Sequence, residues 1–172
     1  MTQNEFIKLT QNAHQPMFRL AKRLLISVDA SKDAVQEVLM KMWEKRNELS
    51  HIKSIEAYAM QVTKNHCLDQ LRLKSNQNLQ LVYSRKDESV EEDEEKNDRA
   101  NWQNEQLIKI KAIIEGLPDN QKIVIQLRDF EGYDFEQIAS ITGMTEVNVR
   151  VILSRARKKI KEELLKKVNY GS

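Results

Sequence analysis

The chain has 172 residues, 40% hydrophobic and 31% charged, with a net charge of only +2. That length holds one ordinary domain or two small ones, and a nucleic-acid footprint must then come from segregated charge, not overall excess. Cys67 is the single cysteine, which excludes an internal disulfide and a thiolate zinc cluster. Gly and Pro are scarce while Leu, Ile, Lys, Glu and Gln abound, which points to an all-α protein. No apolar run approaches the roughly 20 residues of a membrane span, and MTQNEFIKLT lacks a signal-peptide core, so a cytoplasmic protein without membrane insertion is expected.

Phe6, Ile7 and Leu9 suggest a short amphipathic helix ending near Thr10. Pro16 suits the first turn of the next, whose stripe is Met17, Leu20, Ala21, Leu24 and Val28. Ser31 is placed to cap a third helix from about Lys32 to Asn47, with Asp33 in its first turn. Val35, Val38, Leu39 and Met42 form its core side, while Asp33, Gln36, Glu37, Met40 and Glu44 line the other. Such a face is either solvated or a docking surface for a basic partner helix, with Met40 and Trp43 as apolar anchors.

Asn47 to Ser54 reads as a loop, and Ile55 opens a long helix to about Leu73. Tyr58, Ala59, Val62, Leu68 and Leu71 are its core candidates. Gln61, Asn65, Asp69 and Arg72 share a polar face that suits exposed nucleobases and backbone phosphate. The alternative is an ordinary solvated face with a local Asp69–Arg72 pair. From Lys74 to Asn101 periodicity fails, and residues 84 to 99 hold eight acids against four bases. This is read as a flexible acidic linker between two small helical domains.

In the second domain Leu107, Ile110, Ile114 and Leu117 form a stripe that Gly116 and Pro118 end. Ile123, Val124, Leu127 and Phe130 are expected in the core of the helix over 119–130, which Gly132 stops. DFEQIASITGMTE then reads as a helix, a tight turn and the start of another helix. Asp134 caps the first with Gln137 three residues on, and Phe135, Ile138, Ala139 and Ile141 form its buried side. Gly143 permits the left-handed turn, and Thr145 caps the last helix. Val149, Ile152, Leu153, Ala156 and Ile160 form the apolar face of that helix. From Thr145 to Val168 it carries eight Lys or Arg against three Glu. The pattern is a helix-turn-helix with a basic second helix, although the shape alone also occurs in helical packing with no DNA contact.

At LPDNQKIVIQLRDFEGYDFEQIASITGMTEVNVRVILSRARKKI, together with SKDAVQEVLMKMW and AYAMQVTKNHCLDQLR, the chain resembles an extracytoplasmic-function (ECF) sigma factor of bacterial RNA polymerase. The resemblance runs from about Phe6 to Lys167. It implies region 2 over 1–76, an acidic linker over 77–101, and region 4 over 102–172. It implies docking on the clamp helices of the largest polymerase subunit through Asp33, Gln36, Glu37, Met40 and Trp43. A flipped base of the minus-ten element would be held by Leu49, Ser50, His51, Ile52 and Asn65, and the opened strand by Lys64, Asn65, Asp69 and Arg72. The linker would thread toward the polymerase active site, its acidic run standing in for RNA. The last helix would enter the major groove of the minus-thirty-five element, with Arg150, Ser154 and Arg155 at base edges and Arg157, Lys158 and Lys159 at phosphates. Further implied partners are the flap of the second-largest subunit, promoter DNA and, for many members, a membrane-bound anti-sigma factor.

No cofactor, metal or catalysis is expected: His14, His51 and His66 are dispersed, and neither HExxH nor a Gly-rich phosphate loop is present. The alternative function is a stand-alone helix-turn-helix transcriptional regulator whose first domain dimerises or senses.

Overall fold

The computed structural model describes the main chain of residues 1–77 and 98–170, and the side chains of 1–76 and 103–166. Most of the acidic linker, and its run of carboxylates, lies outside the described residues. Among those described, all regular structure is helical, as the composition predicts.

The first domain contains α1 (Gln3–Thr10), α2 (His14–Leu25), α3 (Val28–Glu44), a 3₁₀ turn (Arg46–His51) and α4 (Ile55–Gln77). Pro16 stands in the first turn of α2 as expected. The start of α3 differs from the sequence reading. Ser27, not Ser31, is the cap: its Oγ accepts from the Ala30 amide at 3.2 Å. Ser31 is buried one turn on, and its hydroxyl donates to the Ser27 carbonyl at 2.6 Å. The intervening turn is made by Ile26 at φ 69°, an uncommon conformation for a β-branched residue.

α4 also buries a different face from the one predicted. Ala59 is buried as expected, but its companions are Met60, Thr63, His66 and Cys67, while Tyr58, Val62, Leu68 and Leu71 are only partly covered. The cause is its surroundings. α4 is packed by α2 and α3 and, from the second domain, by the first helix of the helix-turn-helix. A helix covered from several sides has no single apolar stripe to read. Thr63 is accommodated because its hydroxyl donates to the Ala59 carbonyl at 2.7 Å.

The second domain contains α5 (Asp98–Glu115), α6 (Asp119–Ile125) continuing into a π-helical turn (Gln126–Phe130), α7 (Phe135–Thr142) and α8 (Glu146–Tyr170). The π turn explains Phe130. It was expected in the core, but the wider turn shifts the register of the helix end, and Phe130 is 49% exposed. Leu107, expected in the α5 stripe, is also exposed, while Ile113 and Ile114 are buried.

The buried residues of both domains join in one apolar cluster. Polar contacts frame the junction. Arg19 donates from Nε and Nη2 to Glu131 at 2.5 and 2.7 Å. Arg23 donates to Gln126 Oε1 at 2.9 Å and lies 4.8 Å from the centre of the Phe130 ring. Burial lowers the pKa of Arg23 from its ordinary value. Tyr133 donates to Glu56 at 2.7 Å, and Lys64 Nζ donates to the Thr142 carbonyl at 3.3 Å.

Candidate nucleic-acid interface

The helix-turn-helix forms as its sequence dictates. Asp134 Oδ1 accepts from the Gln137 amide at 2.7 Å, and the Gln137 side chain accepts from the Asp134 amide at 3.0 Å. This reciprocal pair satisfies two of the free amides at the start of α7. Gly143, at φ 74°, ends α7, and its amide bonds to the Ala139 carbonyl at 2.8 Å. Thr145 Oγ1 accepts from the Asn148 amide at 3.1 Å and opens α8. Val149, Ile152, Leu153 and Ala156 are then buried against the domain, with Ile160 partly buried below them.

Helical spacing turns the rest of α8 outward. Arg150, Ser154, Arg155, Arg157, Lys158 and Lys159 are all exposed. Their settings differ. The Arg150 guanidinium lies 4.6 Å from the centre of the Phe135 ring, and Arg128 lies 4.7 Å from the same ring. Arg128 is itself anchored by donating to the Tyr133 carbonyl at 2.9 Å. Phe135 is thus a platform on which Arg150 is laid at the solvent edge. Arg157 is engaged differently, donating to both carboxylate oxygens of Asp129 at 3.1 and 2.5 Å. That pairing holds the guanidinium protonated more firmly than usual. The same side borders an open apolar groove of about 440 Å³, lined by Ile110, Ile114, Ile125, Phe130, Ile160 and Leu164.

In the first domain, Asn65, Asp69 and Arg72 are exposed along α4, with Asp69 and Arg72 paired at 3.5 Å. Lys64 is half-buried by its contact with the end of α7, and burial lowers its pKa. Ser50 and His51 are exposed, Ile52 is half-buried, and Leu49 is a core residue at 2% exposure. On α3, Asp33, Gln36, Glu37 and Met40 are exposed, Met40 at 62%. Trp43 is partly covered, edge-on to Phe6 at 5.3 Å and capped by the Arg46 guanidinium at 4.1 Å.

His66 links the α3 and α4 surfaces and was not singled out from sequence. Lys41 Nζ lies 3.1 Å from its Nδ1, and its Nε2 faces both the Gln70 amide nitrogen at 3.1 Å and the Glu37 carboxylate at 3.2 Å. Burial, then the Lys41 charge, lowers its pKa against the opposing pull of Glu37 and Asp69. Among the described residues, no group of three or more His, Cys, Asp or Glu is arranged to hold a metal ion.

A helical domain bearing a polar helix face, joined to a helix-turn-helix whose second helix is cationic, defines a transcription-type DNA-binding architecture. Residues 9–77 match the family model for sigma-70 region 2, and residues 107–160 match that for sigma-70 region 4. A probable RNA polymerase sigma factor RfaY of Xanthomonas campestris pv. campestris is 28% identical over 151 residues, covering 86% of this chain and 37% of the relative. The ECF RNA polymerase sigma factor SigM of Mycobacterium tuberculosis is 24% identical over 169 residues, covering 96% of this chain and 80% of the relative. Among solved structures, the sigma factor RpoE of Bartonella quintana, in complex with the anti-sigma factor NepR, matches with a TM-score of 0.71 at 23% identity, covering 93% of this chain and 96% of that one. The chain belongs to the sigma-70 family and is an RNA polymerase sigma factor of the ECF type.

Proposed function

We propose that this chain binds bacterial core RNA polymerase, reads the minus-ten and minus-thirty-five promoter elements, and thereby starts transcription at a defined set of sites. The observation that carries the reading is the exposed side of α8, where Arg150, Arg155, Lys158 and Lys159 stand clear with no carboxylate on the helix between Glu146 and Glu162. Arg150, Ser154 and Arg155 contact base edges, and Lys158 and Lys159 contact phosphate, while Arg157, paired with Asp129, braces the helix beside them. Asn65, Asp69 and Arg72, with Lys64, hold the opened strand, and Ser50, His51 and Ile52 border the captured base, above buried Leu49.

Asp33, Gln36, Glu37, Met40 and Trp43 form the surface for the clamp helices of the largest subunit. The apolar groove beside Arg157 and Lys161 receives the flap of the second-largest subunit. Two modest DNA contacts fixed on one polymerase act at high effective concentration, so their affinities multiply. The chain supplies recognition, and the polymerase supplies the chemistry. It works in the cytoplasm with that enzyme, subject to an anti-sigma factor where one is present.

Reconstitution with core polymerase on a genomic fragment library tests the reading. The expected result is initiation at sites sharing two spaced upstream motifs. Absence of initiation, with specific duplex retention by the protein alone, would mark a stand-alone regulator instead.

A further inference from the structure

Two valines on α8 have no role in the assignments above. Val147 is 73% exposed and Val151 40% exposed, and Val147 is the most exposed large hydrophobic side chain among the described residues. They stand one turn apart. With Arg150 and Ser154 they complete the spacing i, i+3, i+4, i+7, so Val147, Arg150, Val151 and Ser154 occupy one exposed strip. Val149, Ile152, Leu153 and Ala156 occupy the buried side. Valine is a mediocre residue for a solvated helix position, both in propensity and in the apolar surface it leaves wet.

The surroundings define what such a strip fits. It lies in the first turns of α8, the end that reaches base edges in a helix-turn-helix. Arg150 stands between the two valines, laid on the Phe135 ring, and Arg155, Lys158 and Lys159 follow with no intervening carboxylate. An apolar pair within a cationic surface calls for apolar groups set within a polyanion. The major groove offers them as the 5-methyl groups of thymine.

We propose that Val147 and Val151 determine promoter specificity by packing on thymine 5-methyl groups that flank the base pair read by Arg150. The proposal rests on α8 reading the upstream element and adds the base that its apolar positions select.

The test removes the methyl group alone. The full chain is loaded on core polymerase, the upstream element is selected from a promoter library, and each thymine in it is replaced in turn by deoxyuridine. Wild-type holoenzyme should lose roughly fourfold in promoter affinity per contacted methyl, the factor for one buried methyl-sized group. Val147→Ala and Val151→Ala should show a similar loss on the thymine promoter, then indifference to deoxyuridine at the position each reads. Alanine is the better helix former, so helicity by circular dichroism should be retained. Wild-type insensitivity to every deoxyuridine replacement overturns the proposal, as does an upstream element lacking thymine on either strand. Alanine variants that weaken initiation yet stay sensitive at every position also overturn it, marking the valines as a protein contact. Failure of the underlying reading is distinct: no upstream motif emerges, or Arg150→Ala leaves the motif unchanged, and the proposal falls with it.

Discussion

The phenol of Tyr133 donates a 2.7 Å hydrogen bond to the carboxylate of Glu56, a residue 77 positions away in the other domain. Tyr133 is 8% exposed. Burial first, then this hydrogen bond and the Glu56 charge, raises its pKa well above the ordinary phenol range. Tyr133→Phe should therefore leave a partly buried carboxylate without its donor. A loss of about 1.5–3 kcal/mol is expected, as for hydrogen bonds to charged groups. Urea unfolding of Tyr133→Phe, Glu56→Gln and the double variant measures it. Additive losses in that cycle would show that the two groups are not coupled.

His66 makes stability depend on pH. Its folded pKa lies below the ordinary value of about 6.5, first because it is buried and next because Lys41 faces it. Below pH 6.5 the unfolded chain takes up a proton that the folded chain resists, so the unfolded state binds more protons and stability falls. The contribution is complete above pH 6.5 and is lost as pH drops toward the folded value. His66→Gln should flatten this part of the profile, read as urea midpoints at pH 7.5 and 5.5. An unchanged slope would place the titrating group elsewhere.

Gly143 carries the turn between α7 and α8 at φ 74°. A Cβ there would meet no atom within 4 Å, so the cost of Gly143→Ala comes from the backbone conformation alone. A destabilisation of about 1 kcal/mol is expected. Thermal unfolding measures it, and no change in midpoint would mean the turn relaxes to another conformation.

The cations of α8 should separate by their partners. Arg157 is engaged by Asp129, whereas among the described residues no hydrogen bond or ion pair to Lys158 or Lys159 is seen. Lys158→Ala and Lys159→Ala should each lower the salt dependence of promoter binding by about one counterion. Arg157→Ala should instead lower stability by up to about 1 kcal/mol, the range of an exposed ion pair, with little change in the salt slope. Binding titrations from low to moderate salt make the comparison. A full unit of slope lost in Arg157→Ala would return that residue to the phosphate contacts.

The buried strip of α8 was legible because one side of that helix packs on its own domain and the other is free. One-sided burial writes a 3.6-residue period into the chain, and Val149, Ile152, Leu153, Ala156 and Ile160 carry it. The Asp134–Gln137 cap and the Gly143 turn were legible because each is settled within three or four residues. α4 was less so. With neighbours on several sides its apolar residues are spread around the helix, and its buried Thr63 and His66 resemble surface residues until their partners are known.

By itself, then, the sequence determined the all-helical class, the order of the helices, the helix-turn-helix and the family, all carried by local periodicity, caps and contiguous motifs. Tertiary structure alone decided the junction of the two domains. Arg19 meets Glu131 across 112 positions, Tyr133 meets Glu56, and Lys64 reaches Thr142 across 78. It also decided that Phe130 faces outward and that Arg157 answers to Asp129. Each of these depends on which surfaces meet in space, and contacts made far along the chain leave no period in it.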